Sequence, residues 1–229
     1  MYPRELSEQE KKMEAFYKEQ TAKKISGKFY IMFYLLLVST IISFVGEILS
    51  RASGSSNIYF IVSVLSSGIN LVYGFLMATL PNPIPNDDRF KRGGIFYMLT
   101  IIFGFIYDPL LSSYSYGIIF QAVAAIFALL SFYNFVPAIR EILCNYDFGL
   151  SDSWDKFKKV YTIILLSLLG AILICWIPII NLIAIIAIVI YSIGILIIPI
   201  WEIILVYKTH KSLSAFRAYF PNNNEAETE

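Results

Sequence analysis

The chain is poor in the residues that most often carry chemistry. Its 229 residues include one histidine, two cysteines and only 15% charged side chains. A zinc centre built on histidines needs at least a second one, and His210 stands alone. No Ser–His nucleophile pair can form inside the apolar segments, and no G-x-S-x-G, H-E-x-x-H or Walker A segment is present. A soluble domain carries about a quarter charged residues. The net charge of +1 lacks the basic excess of a nucleic-acid binder. These absences argue against an enzyme, a metal, a cofactor and a nucleic-acid partner.

Apolar residues are what the chain has in excess. They make up 57% of it, aromatics 16%, and the mean hydropathy is +0.65. A hydrocarbon core of about 30 Å takes about 20 helical residues to cross. The uncharged run Val160–Trp201 has 42 residues and is long enough for two crossings. Further apolar runs cover Phe29–Leu49, Asn57–Leu80, Gly93–Leu111 and Tyr116–Ile139, and the last two spans are expected near 160–177 and 181–206. The expected fold is therefore all-α: a polytopic integral membrane protein with six transmembrane helices, flanked by a charged N-terminal segment, 1–28, and a polar tail, 208–229.

The polar N-terminal stretch does not read as a cleavable signal peptide, because 28 residues precede the first apolar run. Ser7-Glu8-Gln9-Glu10 fits a capping box and predicts a helix from about 8 to 25. That helix either lies at the membrane or extends the first span into solvent.

Basic residues fix the expected orientation. Seven Lys/Arg lie between Arg4 and Lys28, three in 81–92, four in 140–159 and three beyond 207. Only Arg51 falls on the other side. Cytoplasmic segments collect Lys and Arg, so both termini are expected in the cytoplasm, with a bacterial cytoplasmic membrane as the default location. The outer connections, about 50–56, 112–115 and 178–180, leave no room for an ectodomain, and Trp176 suits an interfacial position. The segments "GKFYIMFYLLL", "KRGGIFYMLTII" and "KKVYTIILLSLL" start at similar intervals. Pro137 and Glu141 align with Pro199 and Glu202, which suggests three tandem helical hairpins.

A few polar residues inside the spans are candidate site residues. Ser63, Ser67, Asn70 and Gly74 share one face of the second helix, as a close-packing surface or as the lining of a path. Gln121 and Asn134 lie on the fourth helix beside Ala124, Ala125 and Ala128. Glu47 and Asp108 lie near the outer helix ends, and Asp108-Pro109 ends or bends its helix. Glu202 is about five residues, or about 7 Å of helix rise, before the expected exit at Tyr207. At that depth a carboxylate can reach interfacial water, so Glu202 reads as marking the helix end.

Two functions fit this pattern. One is a channel- or transporter-like subunit. The other is a non-transporting accessory, immunity or structural protein. The expected partners are the bilayer and either a second copy or another membrane protein.

The orientation has a direct check. An impermeant maleimide added to intact cells is expected to leave Cys144 unmodified and to reach only Cys175. Labelling of Cys144 from outside would overturn the assigned orientation.

Overall fold

The computed structural model describes residues 8–81, 87–106, 117–144, 146–174 and 181–215, and every element among them is helical. Six helices follow in order: α1 Glu8–Ser53, α2 Ser56–Ala78, α3 Arg89–Phe105, α4 Gly117–Cys144, α5 Phe148–Ile174 and α6 Asn181–Ala215. Each overlaps one of the apolar runs. The Ser7 cap, Asp108, Pro109, Cys175, Trp176 and the connections 112–115 and 178–180 lie outside the described residues.

Among the described residues, three helical stretches are long and apolar enough to cross a membrane: Glu19–Ser53, Ser56–Ala78 and Ile119–Cys144. α3 as described has 17 residues, about 26 Å of rise.

The helices differ from expectation in length rather than number. α1 runs unbroken for 46 residues, so the charged N-terminal segment from Glu8 on continues the first apolar helix and is not a separate helix. The segment 140–159, expected as a basic loop, is mostly helix. α4 continues to Cys144 and α5 already starts at Phe148. Two features favour helix there. Asp152–Lys156 (2.8 Å) and Asp155–Lys159 (2.9 Å) are i, i+4 pairs, and Leu150, Trp154 and Phe157 recur on a single buried stripe. The Lys159 ammonium beside Asp155, with Arg140 in reach, holds that carboxyl below its ordinary range.

Each helix packs against its chain neighbours, and α1 also packs against α6, so the six close into a ring. Neighbours are antiparallel. Ser39 pairs with Ser66 while Gly46 meets Val62; Ser26 pairs with His210 while Phe33 meets Tyr207. Both ends of the described chain and nearly all its basic residues therefore lie at one end of the ring, the basic end. The hairpin grouping is not distinguished by this arrangement, because α2 packs on α3 and α4 on α5 as the hairpin partners do. At the opposite end α1 turns into α2 through Gly54–Ser55. Gly54 has φ +64°, a left-handed conformation that glycine adopts without a Cβ penalty.

The ring is filled at its basic half. Phe29 of α1, Tyr73 and Met77 of α2, Phe90 of α3, Phe135 of α4 and Trp154 of α5 are fully buried there. Rings touch across helices: Phe29 stacks on Phe135 at 6.4 Å, and Phe90 meets Phe135 edge-on at 5.7 Å. Trp154 Nε1 donates to Thr209 Oγ1 at 2.9 Å, and that hydroxyl donates to the Leu205 carbonyl at 2.8 Å, so a buried indole N–H is satisfied. On the outside, Ile31, Val38, Ile41 and Ile48 of α1, Ile61 and Leu65 of α2, and Ile163 of α5 form exposed apolar ridges. These suit hydrocarbon better than water.

Consecutive glycines draw three helices together. A Cβ on Gly94 would lie 2.3 Å from the Ala78 nitrogen and 2.5 Å from the Gly74 oxygen, so α3 meets α2 backbone to backbone. A Cβ on Gly93 would lie 3.2–3.3 Å from Phe135 and the Ser131 carbonyl on α4, and Ser131 Oγ donates to the Gly93 carbonyl at 2.8 Å. Arg89 then ties the start of α3 to Asp87 at 2.6 Å and to Glu141 on α4. Its guanidinium holds the Asp87 carboxyl below the ordinary range. This contribution is present above the unfolded carboxylate pKa of about 4 and is lost as pH falls through the lower folded value.

Gly94→Ala is expected to lower stability by about 1–3 kcal/mol or more, because the obstructing atoms are backbone. Gly27, exposed and with open space at its Cβ position, is the control. Gly27→Ala is expected to be neutral or stabilising by about 0.5–1 kcal/mol. Thermal unfolding in detergent compares them, and equal midpoints would refute the close α2–α3 approach.

Candidate functional site

Packing is tight where α3 carries Gly93 and Gly94, and it loosens toward the opposite end. There five helices, α1 to α5, border a cavity of about 630 Å³. Its wall is hydroxyl-rich on one side: Ser43 from α1, Ser63, Ser66 and Ser67 from α2, and Thr100 from α3. Across from these, α4 supplies Gln121 and the small residues Ala124, Ala125 and Ala128. The three alanines of α4 leave the space open beyond Gln121, because a methyl group reaches little way inward. Tyr161 and Leu165 of α5 also line it, and Glu47 lies on the wall near the last turns of α1.

The candidate residues divide among different roles. Ser63, Ser67 and Gln121 line the cavity. Asn70 is half-buried and apart from that lining, and Gly74 is buried in the α2–α3 contact, where its Cβ position lies 2.7 Å from Met98 and 3.0 Å from Tyr97. The second-helix stripe is thus part wall and part packing surface. Glu47 is exposed and pairs with Arg51 at 2.5 Å, one helical turn on. Asn134 donates its amide to the Leu130 carbonyl of its own helix at 2.7 Å, a local bond with no bearing on the cavity. Asp108 is outside the described residues.

Glu202 departs most from expectation. It is 9% exposed, so the carboxylate does not reach interfacial water. It turns into the ring, where Tyr73 Oη donates to Glu202 Oε1 at 2.9 Å. Tyr73 in turn packs on Tyr97, with ring centroids 5.1 Å apart. Depth along the helix was a sound argument about distance to the membrane edge. It carried no information about which way the side chain faces. Glu141, its counterpart in the proposed repeat, is exposed and pairs with Arg89, so the two aligned acids have different environments.

Several cavity and cluster residues were not singled out from sequence. Ser66 bonds Ser39 at 3.0 Å and Ser43 at 2.8 Å, a serine ladder between α1 and α2. The spacing of four between Ser39 and Ser43 was a readable signal for a shared helical face. Thr100, Tyr73, Tyr97 and Tyr161 carried no such signal, since each looks like one more residue in an apolar helix. His210 also acquires a partner: Nδ1 lies 2.9 Å from Ser26 Oγ and 3.0 Å from the Ser26 carbonyl, joining α6 to α1 at the basic end.

No protein-family model, curated protein or solved structure matches this chain.

Removing the Tyr73 hydroxyl leaves Glu202 without the donor it has here. Tyr73→Phe is expected to cost about 1–3 kcal/mol, the range for a buried polar group deprived of its partner. The same substitution at Tyr30, whose hydroxyl bonds only Tyr34 on an exposed face, is expected to cost less than about 1 kcal/mol. Thermal unfolding of the two variants side by side measures the difference, and equal losses would argue against the buried bond.

Proposed function

We propose that this chain is a six-span membrane protein with both termini in the cytoplasm. On this reading it acts as a channel- or transporter-like subunit that takes a small polar solute into the cavity from the outer side. The observation that carries the reading is the cavity itself: about 630 Å³, bordered by five helices, with hydroxyl and carboxamide groups in a bundle whose outer surface is apolar. Polar groups are costly in a membrane interior and concentrate where they meet one another or a water path. Ligand sites also favour concave spaces with a few polar groups among apolar ones. The aromatic fill of the basic half gives no straight passage, so the conformation described here is closed toward the cytoplasm. Transport through it requires those rings to move.

The accessory reading has one specific observation in its favour. Ser66 spends its hydroxyl on Ser39 and Ser43, which is what helix packing alone would ask of it. Thr100 likewise donates to the Phe96 carbonyl of its own helix at 3.0 Å, which leaves Ser63, Ser67 and Gln121 as the lining groups that packing does not explain.

Two measurements test the proposal. In protein with Cys144 and Cys175 replaced by Ala, Ser63→Cys and Ser67→Cys are expected to react with an impermeant thiosulfonate from outside. Ile61→Cys, on the exposed apolar face of α2, is expected to stay unreactive. In liposomes, a panel of amines, amino acids and sugars is expected to include a solute whose uptake drops at least tenfold in Thr100→Trp, which fills the cavity. Unreactive cysteines at 63 and 67, together with no flux of any solute, would favour the accessory reading.

A further inference from the structure

Among the described residues Glu202 is the one buried Asp, Glu, Lys or Arg. No cationic side chain acts on it. The titratable groups that face it are phenols: Tyr73 from α2, bonded at 2.9 Å, and Tyr97 from α3, packed on Tyr73. Tyr161 from α5 stands beyond them, close enough to act electrostatically on both. α1 and α4 bring none that acts on the carboxyl. Tyr161 also lines the cavity. One phenol therefore faces both the open space and the phenol pair that covers the acid.

A lone carboxylate away from water is expensive unless its charge is matched. With no fixed cation beside it, the match comes from outside, and the smallest visitor is a proton. The Tyr73 hydroxyl suits both states. It donates to Glu202 when the carboxyl is ionised, and its oxygen can accept from the carboxyl O–H when the carboxyl is protonated. The same 2.9 Å contact is therefore a charge-assisted bond in the ionised form and a weaker neutral one in the protonated form.

We propose that Glu202, covered by Tyr73 and Tyr97 with Tyr161 between them and the open space, is a reversible proton-binding site at the closed base of the cavity. The proposal rests on the cavity being entered by water, as argued above. A proton taken from cavity water neutralises the carboxylate, and its return to that water leaves the carboxylate held by the Tyr73 hydroxyl. No covalent bond other than O–H forms or breaks. An ionised Glu202 requires a compensating charge or the Tyr73 donor, whereas a protonated one does not. Its protonation state therefore biases how firmly α6 is held to α2, and so whether the base of the cavity stays closed.

Infrared difference spectroscopy of the full chain in lipid nanodiscs tests this, with pH as the only variable. The wild-type protein is expected to show a carboxylic C=O band that comes and goes across about pH 4 to 9, a window that spans ordinary and perturbed carboxyl groups. Glu202→Gln is expected to abolish the band, Glu47→Gln to leave it in place, and Tyr73→Phe to move its midpoint. Absence of any Glu202-dependent band in that window overturns the proposal. Should Glu202→Gln fail to fold, Tyr73→Phe decides, and an unmoved midpoint overturns the site. The two readings fail separately. Reactive cysteines at 63 and 67 with a silent Glu202 overturn the proton site alone. A titrating Glu202 beneath unreactive cysteines overturns the cavity reading and the proton route drawn from it.

Discussion

The backbone contact between α2 and α3 at Gly74, Ala78 and Gly94 sets the shape of the whole bundle. Helix axes ordinarily stand 8–10 Å apart, with side chains between them. At Gly94 there is no room for a side chain between them, because a Cβ there would already overlap the Ala78 nitrogen. Gly93, the preceding residue, does the same toward α4 less severely, and Ser131 adds a hydrogen bond to its carbonyl. α3 is thereby drawn against both neighbours at its basic end. The ring narrows there, and the aromatic side chains of α1, α4 and α5 fill what remains. Toward the other end α3 stays against α4 through Phe103 with Phe120 and Phe127, and the cavity lies among the small and hydroxyl residues of α1 to α5.

Burial of Glu202 follows from the same constraint. α2 held close to α3 puts Tyr73 beside Tyr97, and both rings face the interior. α6 then passes the Tyr73 hydroxyl at a height where its inward residue is Glu202. Nothing in α6 alone requires this. Its apolar residues surround the helix on every side, so its own sequence gives weak guidance about which face is inward. The rotation is chosen by partners: Tyr73 on α2, Ile164 against Gly194, Trp154 with Thr209, and Ser26 with His210.

Function, on this account, depends on an asymmetry between the two halves of the ring. One half is filled by buried aromatic side chains. The other is open and lined by serines, a threonine and a glutamine. A binding space above a closed base is the arrangement an alternating-access carrier needs in one of its states, with the site reached from one side only. Tyr161 lines the open half, while Tyr73 and Glu202 are buried in the filled one.

How much of this was legible beforehand varies with the level of structure. Six helices at these places follow from run lengths against about 20 residues per crossing, because backbone groups in an apolar medium must be bonded within a helix. The gathering of basic residues at one end follows from antiparallel alternation together with their positions in the chain. Helix lengths beyond the spans were misjudged at 140–159, because Lys156, Lys158 and Lys159 read as a loop when they are the solvated face of α5. Ser63, Ser67 and Gln121 were found on the cavity wall because polar residues among apolar ones stand out in composition. Tyr73, Tyr97, Tyr161 and Thr100 did not stand out, since their significance lies in which helix they face. A sequence states which residues are apolar, small or charged, and that suffices to locate the helices along the chain. Helix rotation and neighbour identity depend on contacts 27 to 184 residues apart along the chain, from Ser39 with Ser66 to Ser26 with His210. Only the closed ring decides that Glu202 faces a phenol and not water.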